Sequence, residues 1–263
     1  MTSSKGFVLV MILVLVVFFS GVAAIGANVA HGSSADTAMT PEQALNTLME
    51  GNARFVSGNV LHPNQSAEQR AKVVSGQEPF AVVVSCSDSR VPPEIIFDQG
   101  IGDIFVVRTA GEVMDNVTVG SIEYAVEHLH VPLIVVLGHD DCGAVAAAVN
   151  GGTEPGQISY LVNAIKPAVD TAKGMQGDLL SNAINENTKD VVAQLESTQP
   201  ILHEHVKEGS LLIVPARYHL DTGAVELLGN ASQAQNTACD FAAMTGFPGT
   251  AIIAPAPASS RFV

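Results

Sequence analysis

Short apolar segments alternate along this chain with segments of helical periodicity, and this alternation limits the possible folds more than any other feature. Residues 80–85, 104–108 and 133–138 are each apolar at every position except the last. A strand that is apolar on both faces is buried on both faces, which is typical of parallel sheets covered by helices. We therefore predict an α/β fold whose central, mostly parallel β-sheet is flanked by helices.

The sequence around these runs completes the predicted sheet. Residues 211–217 and 224–228 are two further strand-like segments, and the turn residues 221–223 between them favour a hairpin. The sheet should therefore contain about four parallel strands and one antiparallel edge strand. Helices are predicted at 41–57, 67–74, 92–97, 118–129 and 142–149, and across 158–208 with interruptions at Pro167, Gly174, Gly177 and Pro200.

The segment 41–57 carries clear signals for an N-terminal helical arm. Thr40 is a favoured N-cap residue, Pro41 takes the first helical position, and Gln43 lies where a capping box needs it. We expect the apolar face of this helix to find little to cover on a lone domain.

Two cysteine motifs directly follow two of the predicted strands. Cys86 comes after the first run, and His139 and Cys142 come after the run 133–138. Because ligands bind beyond the carboxyl ends of parallel strands, we expect the two motifs to converge. Zinc binds two thiolates and one imidazole tetrahedrally, and three protein ligands leave the fourth position for water. The pattern therefore predicts a catalytic zinc site with Cys86, His139 and Cys142 as ligands.

A carboxylate and a guanidinium accompany the first motif. Asp88 and Arg90 follow Cys86 at intervals of two residues. Asp88 could accept a hydrogen bond from a zinc-bound hydroxide and aim it, while Arg90 keeps the carboxylate ionised and fixed. The simplest alternative to a metal site is a disulfide between Cys86 and Cys142, which an oxidising compartment would favour. A disulfide would explain neither His139 nor the Asp–Arg pair.

The two motifs resemble the signature of the β-class carbonic anhydrases. The similarity extends through 91–98, 105–111 and 120–125, and the chain is similar to a whole family domain from about residue 40 to about residue 229. The resemblance implies zinc ligation by Cys86, His139 and Cys142, and a catalytic pair of Asp88 and Arg90.

The same resemblance implies an activity and an assembly. The activity would be the reversible hydration of CO2 to bicarbonate and a proton, through attack by zinc-bound hydroxide. In some members the aspartate equivalent to Asp88 becomes the fourth zinc ligand in a resting state. Members also pair through their N-terminal helices, so a homodimer or tetramer is expected. The proton acceptor is not evident among five candidate histidines: His128, His130, His203, His205 and His219.

Two other functions are compatible with the motifs. Hydrolysis of CS2 or COS would use the same zinc site on linear analogues of CO2. A zinc-dependent binding module without turnover is a second alternative, but such a module has no need of an aimed carboxylate at Asp88. Nucleic acid is not an expected partner, because the formal net charge is −14 and phosphate contacts need clustered Lys and Arg.

The two ends of the chain differ from the predicted catalytic domain at 36–229. Residues 1–35 read as a signal peptide or N-terminal anchor plus a short linker, because Lys5 precedes an apolar run and a zone of small residues. We therefore expect export to a periplasmic, extracellular or outer-face, membrane-anchored location, with membrane contact only if the segment stays uncleaved. Residues 230–263, which contain Cys239, form an extension to which the sequence assigns no role.

Overall fold

The apolar runs form the centre of one β-sheet in the computed structural model, which describes residues 39–229. Its strands are β1 (Ala81–Cys86), β2 (Ile104–Thr109), β3 (Leu133–His139), β4 (Leu212–Tyr218) and β5 (Val225–Leu227). The spatial order is β2-β1-β3-β4-β5, with β1 to β4 parallel and β5 antiparallel to β4. The predicted α/β fold, with four parallel strands and an antiparallel edge strand, is confirmed.

Helices connect and cover these strands. They are α1 (Pro41–Ser57), α2 (Ala67–Lys72), α3 (Pro93–Ile96), α4 (Asn116–Leu129), α5 (Gly143–Asn150), α6 (Ile158–Ala172), α7 (Leu179–Glu196) and α8 (Ile201–Glu208). Short 3-10 turns at Val73–Ser75 and Ala110–Glu112 complete the set.

One predicted helix interruption is wrong. Pro167 lies inside α6, which continues to Ala172. Residues on either side of it, Ile165 and Ala168, are buried in the core. Proline removes one backbone donor from a helix, and apolar packing of this kind can outweigh that loss.

Alternate residues of the central strands supply two separate layers of the core, as the strand period of two requires. On one face Val82 and Val84 of β1 pack with α4, α7 and α8. On the other face Ala81 and Val83 pack with α1 and α3. The sheet is therefore covered on both sides, which explains why its strands are apolar throughout.

The predicted N-terminal helix is present as α1, but its apolar face is not left free. Ala44 and Leu48 are fully buried against the domain's own sheet. The buried Asn52 side chain donates to Gly223 O at 2.9 Å and accepts from Val225 N at 2.9 Å. The expectation that this face has little to cover on a lone domain is therefore wrong.

Both ends of the chain lie outside the described residues. The predicted leader at 1–35 and the predicted extension at 230–263, which contains Cys239, both fall in these parts of the chain. Among residues 39–229, no helix combines the length and the apolar character needed to cross a membrane.

Candidate metal centre

Three potential metal ligands converge at the carboxyl ends of β1 and β3. The ligand atoms of Cys86, His139 and Cys142 all lie within 4.8 Å of one another, and all three residues are buried. The two Sγ atoms are 4.0 Å apart. A tetrahedral zinc with Zn–S bonds of about 2.3 Å places two sulfurs about 3.8 Å apart. The donor set and its spacing therefore fit zinc.

The alternative of a disulfide between the two cysteines does not hold in this structure. Cys86 and Cys142 are both free. An S–S bond is about 2.05 Å long, roughly half the separation observed.

His139 is oriented to present one nitrogen to a metal. Its Nδ1 lies 2.7 Å from the backbone oxygen of Asp140, so Nδ1 carries the proton and donates it. Its Nε2 is fully buried and has no hydrogen-bond partner among the described residues. Such an unsatisfied buried atom is costly unless something else occupies its lone pair, and a metal would do so.

Without a cation, the contact between the two sulfurs favours the thiolate at Cys86 and keeps the proton on Cys142. The hydrogen bond from Cys142 lowers the pKa of Cys86, with further help from the Gly111 N–H, which lies 3.4 Å from Sγ. The same contact, together with burial, raises the pKa of Cys142. A bound divalent cation would displace that last proton, since thiolates are the ligands.

Gly111 must be glycine for this contact to form. Its φ is +66°, and a Cβ there would lie 2.7 Å from Ile165 Cδ1. The close approach brings its N–H to the Cys86 sulfur, so one backbone donor stabilises the thiolate.

Asp88 and Arg90 form a two-pronged ion pair beside the three donors. Arg90 Nε and Nη2 donate to the two carboxylate oxygens at 3.0 and 2.7 Å. These hydrogen bonds from Arg90 lower the pKa of Asp88 to about 2. Asp88 Oδ2 lies 3.9 Å from His139 Nε2, close to where a metal would sit but too far for a hydrogen bond. The structure thus brings together all five predicted site residues.

Arg108 belongs to the same site, although the sequence analysis did not select it. It lies on β2, and its guanidinium donates to the backbone oxygens of Cys86 and Asp88 at 2.9 and 2.7 Å. These contacts fix the main chain of the first motif. The sequence feature that could have identified Arg108 is its position at the end of the predicted strand 104–108.

Among the five candidate histidines, His219 is the one with a contact to the metal-site turn. Its Nδ1 lies 3.2 Å from Asp140 Oδ2, and its Nε2 lies 3.1 Å from Glu226 Oε2. In contrast, His205 contacts Ser210 and Glu127.

A carboxyl group that sequence reasoning also missed is buried behind the sulfurs. Glu112 is 2% exposed, and its Oε1 has no partner within the described part of the chain. Its Oε2 receives only a long contact of 3.4 Å from Asn187 Nδ2. Burial, and then the charge of Cys86, raise the pKa of Glu112 well above its usual value. A carboxyl in this position is held in its neutral form.

Comparison with known proteins agrees with this geometry. A family model described as carbonic anhydrase matches residues 81–225, more than half of the 263-residue chain. Carbonic anhydrase 2 of Mycobacterium tuberculosis is 47% identical over 191 residues, which cover 71% of this chain and 92% of that protein. The chain belongs to the β-carbonic anhydrase family.

A further relative and a solved structure support the assignment to this family. The carbonic anhydrase of Mycolicibacterium smegmatis is 45% identical over 191 residues, covering 71% of this chain and 93% of its own. A tetrameric β-carbonic anhydrase from Sordaria macrospora superposes with a TM-score of 0.57 at 27% identity, covering 61% of this chain and 86% of that one. The resemblance drawn from the two cysteine motifs is thereby confirmed.

The buried carboxyl of Glu112 predicts a pH-dependent effect of Glu112→Gln. Because the pKa of Glu112 is raised in the folded state, the folded protein keeps a proton that the unfolded chain loses above about pH 4.5. Native stability therefore falls as pH rises from there toward the raised pKa. Glu112→Gln cannot ionise, so we expect its free energy of unfolding to exceed that of the parent by about 1–3 kcal/mol at about pH 8, and by less at about pH 4.5.

Thermal unfolding of the zinc-loaded proteins at both pH values measures this difference. Glu50→Gln, which removes an exposed carboxylate from α1, controls for the loss of one negative charge. Equal gains at the two pH values, or a lower unfolding temperature at about pH 8, would show that Glu112 is not held neutral by burial.

Proposed function

We propose that this protein is a zinc-dependent carbonic anhydrase that catalyses the reversible hydration of CO2 to bicarbonate and a proton. The observation that carries the proposal is the buried Cys86, His139 and Cys142 group with the Asp88–Arg90 ion pair beside it. CO2 hydration is the activity of the family to which the chain belongs. Within residues 39–229, no feature of the site favours CS2 or COS over CO2.

The three buried donors would hold the zinc ion. When bound, zinc supplies a water molecule of lowered pKa, so that a nucleophile is available near neutral pH. Two thiolates and one neutral imidazole balance the double positive charge, so the site has a net charge near zero. Such a site favours ionisation of water less than a three-histidine site does, and the surrounding residues must contribute more.

Asp88 supplies that contribution by orientation. An ionised carboxylate at this position accepts the remaining O–H of the attacking oxygen, which leaves an oxygen lone pair directed at CO2. Arg90 keeps Asp88 ionised throughout the neutral range, since it holds the pKa at about 2. While Arg90 holds both carboxylate oxygens, Asp88 is kept from turning onto the metal as a fourth ligand. We propose that such a resting state forms only when the Asp88–Arg90 pair opens.

We also propose that residues 36–229 are the catalytic domain and that the protein is exported by residues 1–35, either as a cleaved signal peptide or as an anchor. The apolar run after Lys5 supports this proposal. Residues 230–263 remain an extension without an assigned role. Cell fractionation tests this proposal. Recovery of the protein with cytoplasmic markers would contradict it.

The expected assembly is a homodimer or tetramer. Large apolar side chains are exposed on the lone chain, including Val117 at 78%, Ile95 at 59% and Tyr124 at 49%. Strand β2 also lies at the open edge of the sheet, where its backbone can pair with another chain. Light scattering at micromolar concentration should give a multiple of the chain mass, and a fully active monomer would contradict this.

The Asp88–Arg90 pair predicts a separation of metal binding from turnover. Asp88→Asn keeps the size of the side chain but removes its charge, and Arg90→Ala frees the carboxylate. We expect both variants to retain zinc, because neither residue is one of the three donors. We expect kcat/KM for CO2 hydration to fall by about 10²-fold or more, as is typical for loss of a preorganised electrostatic contact.

Elemental analysis and stopped-flow CO2 hydration measure these two quantities, with CS2 and COS hydrolysis run in parallel. Asp170→Asn, which breaks an exposed ion pair with Lys173, is the matched control. If both Asp88→Asn and Arg90→Ala hydrate CO2 at nearly the rate of the parent, the Asp88–Arg90 pair has no role in the mechanism. Zinc loss in Asp88→Asn would make Asp88 a structural ligand, and faster turnover of CS2 or COS than of CO2 would reject the proposed substrate.

A further inference from the structure

Asp140 lies between two of the proposed zinc ligands and joins them to the neighbouring strand. Its backbone oxygen accepts the Nδ1 proton of His139 at 2.7 Å, and its N–H donates to Tyr218 O at 3.1 Å. The next residue, Asp141, has a φ of +51°, a conformation that Gly, Asn and Asp adopt more readily than other residues. Contacts from outside the turn, such as this one to β4, support the position of His139 and Cys142.

The Asp140 side chain receives that support from the end of β4. Arg217 Nε donates to Oδ1 at 2.6 Å, while the Leu220 N–H donates to Oδ2 at 3.3 Å. The Asp140 and Arg217 side chains are only 20% and 13% exposed. Water therefore screens this pair less than a surface ion pair.

Helix α7 holds Arg217 from the other side. Arg217 Nη1 donates to Ser181 Oγ at 2.7 Å and to Asn185 Oδ1 at 3.1 Å. The guanidinium is thus bonded to a helix at one end and to the Asp140 carboxylate at the other. With its donors shared in this way, it has little freedom to leave the carboxylate.

We propose that Arg217 is a positioning residue for the metal centre: acting through Asp140, it holds the turn of His139 and Cys142 in register with Cys86 and thereby sets how tightly the site retains zinc. The proposal rests on the proposed function, because it takes these three residues as the zinc ligands. Arg217 is not one of the three proposed ligands, and its guanidinium contacts Asp140, Ser181 and Asn185.

The physical reason is that the three donors come from two strands. Cys86 is fixed on β1 by backbone pairing and by Arg108, whereas Cys142 lies beyond the last residue of β3. Without Arg217, the Asp140 carboxylate loses its charged partner at Oδ1, and only the contacts of Oδ2 with His219 and the Leu220 N–H remain. Its side chain could then turn toward the Nδ1 proton of His139 and compete with the backbone oxygen that now fixes the ring.

The zinc affinity of Arg217→Met tests this inference without an activity assay. Competition with a chromogenic chelator should show zinc binding about 10–100-fold weaker than in the parent, the usual effect of losing an outer contact to a metal ligand. In an Asp140→Asn background the same Arg217→Met change should cost less, because its effect passes through the Asp140 charge. The cobalt-substituted variant should show shifted thiolate-to-metal and d–d absorption bands, and Arg217→Lys should restore part of the shift.

Arg54→Met is the matched control. It removes an ion pair with Asp98 of the same length, 2.6 Å, that contacts neither His139 nor Cys142. We expect it to lower the unfolding temperature while leaving zinc affinity and the cobalt spectrum unchanged. Equal zinc weakening in Arg54→Met would reduce Arg217 to a general stabilising role and overturn the proposal.

Three further results bear on the role of Arg217 or on the proposed function. Parent-like zinc affinity and parent-like cobalt bands in Arg217→Met would overturn the proposal. If Arg217→Met does not fold, Asp140→Asn carries the test, and it must weaken zinc binding for the proposal to stand. A parent protein that binds no zinc would contradict the proposed function itself, which is a different outcome from equal binding by parent and variant.

Discussion

Everything at the metal centre depends on the parallel pairing of β1 with β3. Because the two strands run side by side in the same direction, with Ser85 opposite Leu137, their carboxyl ends meet at one edge of the sheet. That pairing brings Cys86 next to His139 and Cys142, although about fifty residues separate the two motifs. The apolar layers on both faces of the sheet hold the register, since a slip by one residue would exchange the side chains of the two layers.

Burial and charge compensation then give the site its chemical character. Two sulfurs and a ring nitrogen are enclosed together, and this is tolerable only if a cation or protons balance them. The residues around them are arranged accordingly: Gly111 donates to Cys86, and the backbone of Asp140 fixes the proton of His139. The ion pair of Asp88 and Arg90 lies on the open side, where the carboxylate is 18% exposed and the guanidinium 51% exposed.

The sequence predicted those parts of the structure that local patterns determine. Apolar runs with helical segments between them predicted the sheet. The residues directly after two of the runs predicted the three potential metal ligands and the Asp88–Arg90 pair. Arg217 and Glu112 were missed because their roles depend on which distant strand or helix lies beside them. The apolar face of α1 was assigned to a second subunit for the same reason: the pattern shows that the face must be buried, but not against what. Pro167 was taken as a helix break because its packing was not visible in the sequence.

We propose that the chain binds one zinc ion through two sulfurs and one imidazole nitrogen, with one further nitrogen or oxygen ligand. X-ray absorption at the zinc edge of the purified protein measures this coordination directly. We expect about two sulfur scatterers at about 2.3 Å and about two nitrogen or oxygen scatterers at about 2.0–2.1 Å, with an imidazole outer-shell signal. A first shell without sulfur, or one made of four sulfurs, would contradict it.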